Sequence, residues 1–184
     1  MVMEISTKQI LKVLYILAWI IFIGTCIEAG GFIFSAFYTL MINPTNAATF
    51  WERNDLSALY KYDHGHFLVE ALLISIPAVL KACMFYLPIK ILQDKKLNIS
   101  HPFSRDVRLF IIKICCLAFG IGLFTAWGAN YTGWLVSKGI AMPDTEHLRL
   151  GGADVWLLMG VILFIIAQIF KKGIEIQTEN ELTV

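Results

Sequence analysis

Four long apolar runs dominate this chain and decide what it can fold into. They cover residues 10–42, 67–92, 107–127 and 155–170. A helix rises 1.5 Å per residue, so roughly 20 mostly apolar residues cross a hydrocarbon core of about 30 Å. The runs are continuous and do not alternate with period two, which favours spanning helices over a barrel. Composition agrees: of 184 residues 58% are hydrophobic and 16% charged, and the mean hydropathy is +0.69. The expected fold class is all-α, a single integral membrane four-helix bundle. The first run contains Glu28-Ala29-Gly30-Gly31, so it is either one long helix or a helix that bends there.

Orientation follows from Lys and Arg near the membrane. Lys8, Lys12, Lys90, Lys95, Lys96, Arg105, Arg108, Lys171 and Lys172 lie at the N-terminal side, the second connection and the C-terminal side. Arg53, Lys61, Lys138 and Arg149 lie in the other two connections. The imbalance predicts both termini in the cytoplasm, with loops 43–66 and 128–152 facing outward. Trp51, Tyr60, Tyr62, Tyr131 and Trp134 then suit an aromatic belt at the outer interface. A formal charge of +1 gives no reason to expect direct nucleic-acid binding.

Charges within apolar runs are costly and are turned inward, paired or functional. Here they are Glu28, Glu70, Lys81 and Lys113, with Asp154 at the entrance of the fourth run. Glu70, Pro77, Lys81 and Pro88 are spaced 7, 4 and 7 apart. At about 100° per residue that is one helical stripe, and prolines that free carbonyls belong against other helices or a wet cavity. The stripe is expected to face the interior. By helical rise, Glu28, Glu70 and Asp154 share the outer third, whereas Lys81 and Lys113 share the inner third, where they either snorkel towards the cytoplasm or find carbonyl partners. Small residues at Ala118, Gly122 and Ala126 mark a helix-docking face, compatible with homo-oligomer formation as well.

Close to the outer carboxylates comes Asp63-His64-Gly65-His66. Imidazole and carboxylate ligate divalent metals, and both groups exchange protons. Glu28, His64, His66, Glu70 and Asp154 therefore form a candidate outer-face proton or metal site. The alternative is that the histidines make loop hydrogen bonds and that Asp154 caps a helix N-terminus. A two-residue spacing suits a loop or strand, since one helix sends His64 and His66 to different sides.

Catalytic and cofactor motifs are missing: the sequence has no phosphate loop, no His-Glu-x-x-His and no nucleophile elbow. Cys26, Cys83, Cys115 and Cys116 all lie within apolar runs, without a Cys-x-x-Cys redox pair. Ile23-Gly24-Thr25-Cys26 is a poor lipoprotein cleavage box. Asn98-Ile99-Ser100 and Asn130-Tyr131-Thr132 match the glycosylation sequon but carry no weight. No cofactor is expected, and the balance is against an enzyme.

Two segments carry a family resemblance. One is Ser100-His101-Pro102-Phe103-Ser104-Arg105-Asp106-Val107-Arg108-Leu109. The other is Leu150-Gly151-Gly152-Ala153-Asp154, a span, then the ending Gly173-Ile174-Glu175-Ile176-Gln177-Thr178-Glu179-Asn180-Glu181-Leu182-Thr183-Val184. They resemble the bacterial four-helix membrane family of unknown function typified by YoaS, with its Pro-Phe-Ser/Thr connection and Gly-x-x-Leu-Gln-x-Glu-Asn-x-Leu-Thr-Val/Ile ending. Ile176 replaces the usual Leu, and His64-Gly65-His66 lies outside the pattern. The resemblance implies no activity. It does imply a partner, a small cytoplasmic helix-turn-helix regulator; the acidic tail at 173–184 with Glu175, Glu179 and Glu181 is either the matching surface or only a helix extension and a solvated end.

Three functions follow as expectations. The first is a non-enzymatic inner-membrane protein that senses or transmits a signal. The second is a small ion- or proton-coupled transporter or channel using Glu28, Glu70 and Lys81. The third is a membrane enzyme with an outer-face metal site.

Overall fold

The computed structural model describes residues 7–94 and 103–182, with side chains described from 9 to 94 and from 103 to 179. Lys95, Lys96, the 98–100 sequon, His101 and Pro102 lie outside these residues, as do the side chains of Lys8 and Glu181. The elements in order are α1 (Thr7–Met41), 3₁₀ turns at Pro44–Thr49 and Trp51–Arg53, α2 (Ser57–Tyr62), α3 (His64–Gln93), α4 (Arg105–Ser137) and α5 (Ala153–Leu182). α1, α3, α4 and α5 are each long and apolar enough to cross a membrane.

The first run resolves as one helix. α1 passes unbroken through Glu28-Ala29-Gly30-Gly31, and Gly31 is needed for contact: a Cβ there would lie 2.2 Å from the Trp51 ring. α3 begins at His64 because the Asp63 side chain accepts a hydrogen bond from the His66 N–H at 2.8 Å. His64-Gly65-His66 is thus a helical first turn, not a loop. α4 runs on to Ser137, so residues 128–137, expected in a loop, are helical. Thr132 and Leu135 are buried, and that packing holds the extra turns. α5 likewise continues to Leu182, so most of the expected tail is the end of a helix.

The long helices form an open row, α1–α3–α4–α5, in which only neighbours touch along their lengths. The four long helices expected from the sequence are thus present, and their packing order is the chain order. Burial follows the order: in the most apolar window, 56% of α3 positions are buried, against 6% in α1 and 11% in α5. Helices apolar all round can be covered on any side by lipid, so burial among neighbours is not required of all faces. At the α4–α5 contact Gly122 meets Leu157 and Gly160 meets Phe119, as the small-residue spacing on α4 predicts for one docking face.

The two ends differ. The end carrying the connections α1–α3 and α4–α5, here the loop end, holds a core built from every element except α5. Phe32, Phe50, Leu56, Leu59, Phe67 and Leu148 are fully buried within it. The opposite end carries the start of α1 and the end of α5, and among the described residues the cluster outside the loop-end core is the small one of Met84, Ala118 and Ile121.

Candidate functional site

The stripe of charge and proline on α3 does turn inward: Glu70 and Pro77 are buried, and Lys81 and Pro88 half-buried. Glu70 has no exposed surface. It faces α4, where Thr132 Oγ1 lies 2.6 Å from its Oε1. The same hydroxyl lies 3.0 Å from the Gly128 carbonyl oxygen. One hydroxyl proton serves only one acceptor at a time, so Thr132 cannot donate to both at once. Among the described residues Glu70 Oε2 is buried with no hydrogen-bond partner, and about two turns along α4 from Thr132 the Thr125 Oγ1 is in the same condition.

One turn before Glu70, His66 faces the same seam. Its Nδ1 is hydrogen-bonded to the Tyr131 hydroxyl, and its ring packs on Tyr62, Tyr131 and Trp134. His64 points elsewhere and packs on Tyr60, ring centroids 4.3 Å apart. The helix separates the two histidines, as their spacing requires. Asp63, at the mouth of this region, has its carboxyl held below the usual aspartate value of 3.8 by the His66 N–H, with the Gly65 N–H adding to it.

A second cluster centres on Arg149. Its Nε is 3.2 Å from Glu28 Oε1, and its Nη2 is 3.2 Å from Glu52 Oε2. Glu52 and Arg149 both have left-handed backbone, φ 57° and 58°, a conformation costing non-glycine residues on the order of 1 kcal/mol or more. The loop reaches this depth by folding back along α4, where Leu150 packs on Gly128. Lys81 turns to the same cluster: its Nζ is 3.5 Å from the Arg149 carbonyl oxygen and 6.0 Å from the Trp156 ring centroid. It does not snorkel to the opposite end with Lys113. The returning loop offers it a carbonyl and an aromatic face instead. Lys113 is exposed and lines a groove between α1, α3 and α4.

The five outer-site residues therefore do not converge. Glu28 is engaged by Arg149, His64 by Tyr60, His66 by Tyr131 and Glu70 by Thr132. Asp154 is exposed in the first turn of α5, where a negative charge suits the helix dipole. Among the described residues no three His, Cys, Asp or Glu side chains are placed to hold a metal ion. Glu70 and Lys81 are about 16 Å apart along α3, and the Lys81 ammonium lies with the Arg149 cluster rather than with Glu70. At the other end Glu175 is paired with Lys172 at 3.4 Å.

Thr132 and Arg149 escaped the sequence reading. Thr132 stood out only within a sequon, and Arg149 only as one more loop cation. No local signal ties either to Glu70 or Glu28; the antiparallel register of α3 and α4 and the fold-back of the loop do so. No family model matches the chain, and neither a curated protein nor a solved structure matches it.

Proposed function

We propose that this chain is a non-enzymatic integral membrane protein that senses protonation at Glu70 and passes the change along α3 and α4 to the terminal end. One observation carries the reading: a fully buried carboxyl on a membrane-length helix with one oxygen bare and its only donor shared with a backbone carbonyl. A carboxyl so placed gains a hydrogen-bond donor when it takes up a proton, and can then bond an acceptor it cannot address when ionised. His66 and Tyr131, one turn nearer the loop end, are groups through which a proton can reach it. The reading takes the loop end as the outer face and the terminal end as cytoplasmic, as the Lys and Arg distribution favours. There the acidic last turns of α5 would meet a basic partner, of which a small helix-turn-helix regulator is one kind.

The test is infrared difference spectroscopy of the full chain in lipid nanodiscs, titrated from mildly alkaline to mildly acidic pH. A protonated-carboxyl carbonyl band that grows on acidification and is missing from Glu70→Gln supports the proposal. A spectrum unchanged by Glu70→Gln contradicts it. Proton leak through liposomes that depends on Glu70 would replace sensing with transport.

A further inference from the structure

In a row of helices the two neighbours of a middle helix cannot touch each other, so a groove forms over the middle one. Above α3 that groove lies between α1 and α4 in the terminal half of the molecule, with a volume of about 670 Å³. Ligand pockets typically span roughly 300–1,000 Å³. Three of the chain's four cysteines line it, one from each helix: Cys26 on α1, Cys83 on α3 and Cys116 on α4. Helix register explains the meeting. The Phe22 and Tyr86 ring centroids are 5.7 Å apart; Cys26 follows the first by four residues and Cys83 precedes the second by three. A Cβ at Gly120 would lie 3.2 Å from Leu80; Cys116 precedes the glycine by four residues and Cys83 follows the leucine by three. Neighbouring helices in the row are antiparallel, so the three thiols sit within about one helical turn of each other in depth.

All three are exposed, whereas Cys115 is buried with its Sγ 3.3 Å from the Gly160 carbonyl oxygen. Among the described residues they do not make a metal site, so they stand as separate soft nucleophiles in a mainly apolar groove. One of them has a distinguishing neighbour. Lys113 lines the same groove and precedes Cys116 by three residues on α4, a spacing that sets two side chains next to each other with Cβ atoms about 5–6 Å apart. A thiol beside an ammonium matches a conjugated carbonyl. Its oxygen accepts a hydrogen bond from the ammonium, while the carbon at the far end of its double bond, three bonds from that oxygen, takes the sulfur. Neither Cys26 nor Cys83 has a cation on its own helix among the groove-lining residues.

We propose that Cys116 is a modification site for apolar conjugated carbonyl compounds that enter the groove from the bilayer. Lys113 donates to the carbonyl oxygen while the Cys116 sulfur attacks the far carbon of the double bond. A sulfur–carbon bond forms, the double bond shifts to give an enol, and the thiol proton ends on the enol oxygen, with no oxidant or further reactant. Two lipid-soluble sources carry this chemistry: a quinone with an unsubstituted ring carbon, and an oxidised acyl fragment ending in an enal. The inference rests on the chain spanning a membrane and is independent of the role given to Glu70.

The test treats the full chain in nanodiscs with menadione, a naphthoquinone, or separately with nonenal, and locates and times the adducts by peptide mass spectrometry. Cys116 should be modified first and Cys115 not at all. Lys113→Met should slow the reaction at Cys116 about tenfold, the effect of one charge-assisted hydrogen bond, and Lys113→Arg should restore it. Iodoacetamide, which reacts by displacement of iodide, should label Cys116 at the same rate in the native chain and in Lys113→Met. Glu70→Gln should change none of these rates. Faster reaction with menadione supports the proposal with a quinone as the source, and faster reaction with nonenal supports it with an acyl fragment. Modification of Cys26 or Cys83 ahead of Cys116, no adduct on any groove thiol, or an equal effect of Lys113→Met on iodoacetamide would each overturn it. Because Cys116 and Lys113 are exposed, their substitution tests the site without threatening the fold.

Discussion

The two halves of this molecule solve the same problem differently. At the loop end, α1, both 3₁₀ turns, α2, α3, α4 and the 138–152 connection contribute to one core around Phe50 and Phe67. The polar groups there are tied across loops: Asn46 Nδ2 donates to Thr39 Oγ1 at 3.0 Å, and the Leu56 N–H to the Ala47 carbonyl at 2.8 Å. Asn54 Nδ2 reaches the His147 carbonyl at 3.4 Å. At the terminal end helices lie side by side with a groove between them. The difference shows where rigidity comes from in a chain whose helices are apolar on every side: from the connections that fold back, rather than from the helices. Glu70 sits within the knitted half, and the groove lies in the loose one.

That contrast can be broken at several points. Phe67 is fully buried and packs on Phe50 and Tyr60 at ring-centroid distances of 5.9 and 5.2 Å. Phe67→Ala should cost about 3–5 kcal/mol, whereas Leu117→Ala in the groove wall should cost far less; steric-trap unfolding in bicelles compares them. Thr132→Val removes the donor to Glu70 and should cost about 1–3 kcal/mol by the same measurement. It should also move the pH at which the Glu70 carbonyl band appears.

Smaller effects sharpen the picture of the fold-back. Arg149→Ala removes the pairs with Glu28 and Glu52; with Arg149 half exposed, the loss should be about 1 kcal/mol and should shrink in high salt. Arg149→Gly should be milder, because glycine accepts the left-handed backbone at that position. The smallest change concerns Asp63. Its carboxyl is held below 3.8 chiefly by the His66 N–H, so the cap contributes fully above the unfolded value. It is lost as pH falls through the lower folded value. Asp63→Asn keeps a capping oxygen and should abolish only that acid-side loss, read from melting temperature against pH.

Much of the fold was legible because hydropathy reports helix existence directly. The spacing of Glu70, Pro77, Lys81 and Pro88 likewise gave the inward face of α3. The row was not legible: with little difference between the faces of α1 and α5, nothing local says which neighbours they take. A carbonyl partner for Lys81 was one of two readings, but its identity was not legible, because the Arg149 carbonyl belongs to a loop 68 residues away in sequence. The extra turns of α4 were missed since Asn130, Thr132 and Gly133 read as loop composition, while their helix is held by burial of Thr132 and Leu135. At the candidate site the sequence showed the acid but not the shared hydroxyl that leaves half of it bare.

The most direct test of the account asks whether a proton at Glu70 in the rigid half moves the loose half. Spin labels on Gln93, the last residue of α3, and Lys171, in the terminal half of α5, would be measured by pulsed electron paramagnetic resonance in nanodiscs at mildly acidic and mildly alkaline pH. The exposed cysteines would be replaced by serine. The account predicts a distance distribution that shifts with pH in the otherwise native chain and is independent of pH in Glu70→Gln. An unchanged distribution at both pH values, or a shift that persists in Glu70→Gln, would contradict it.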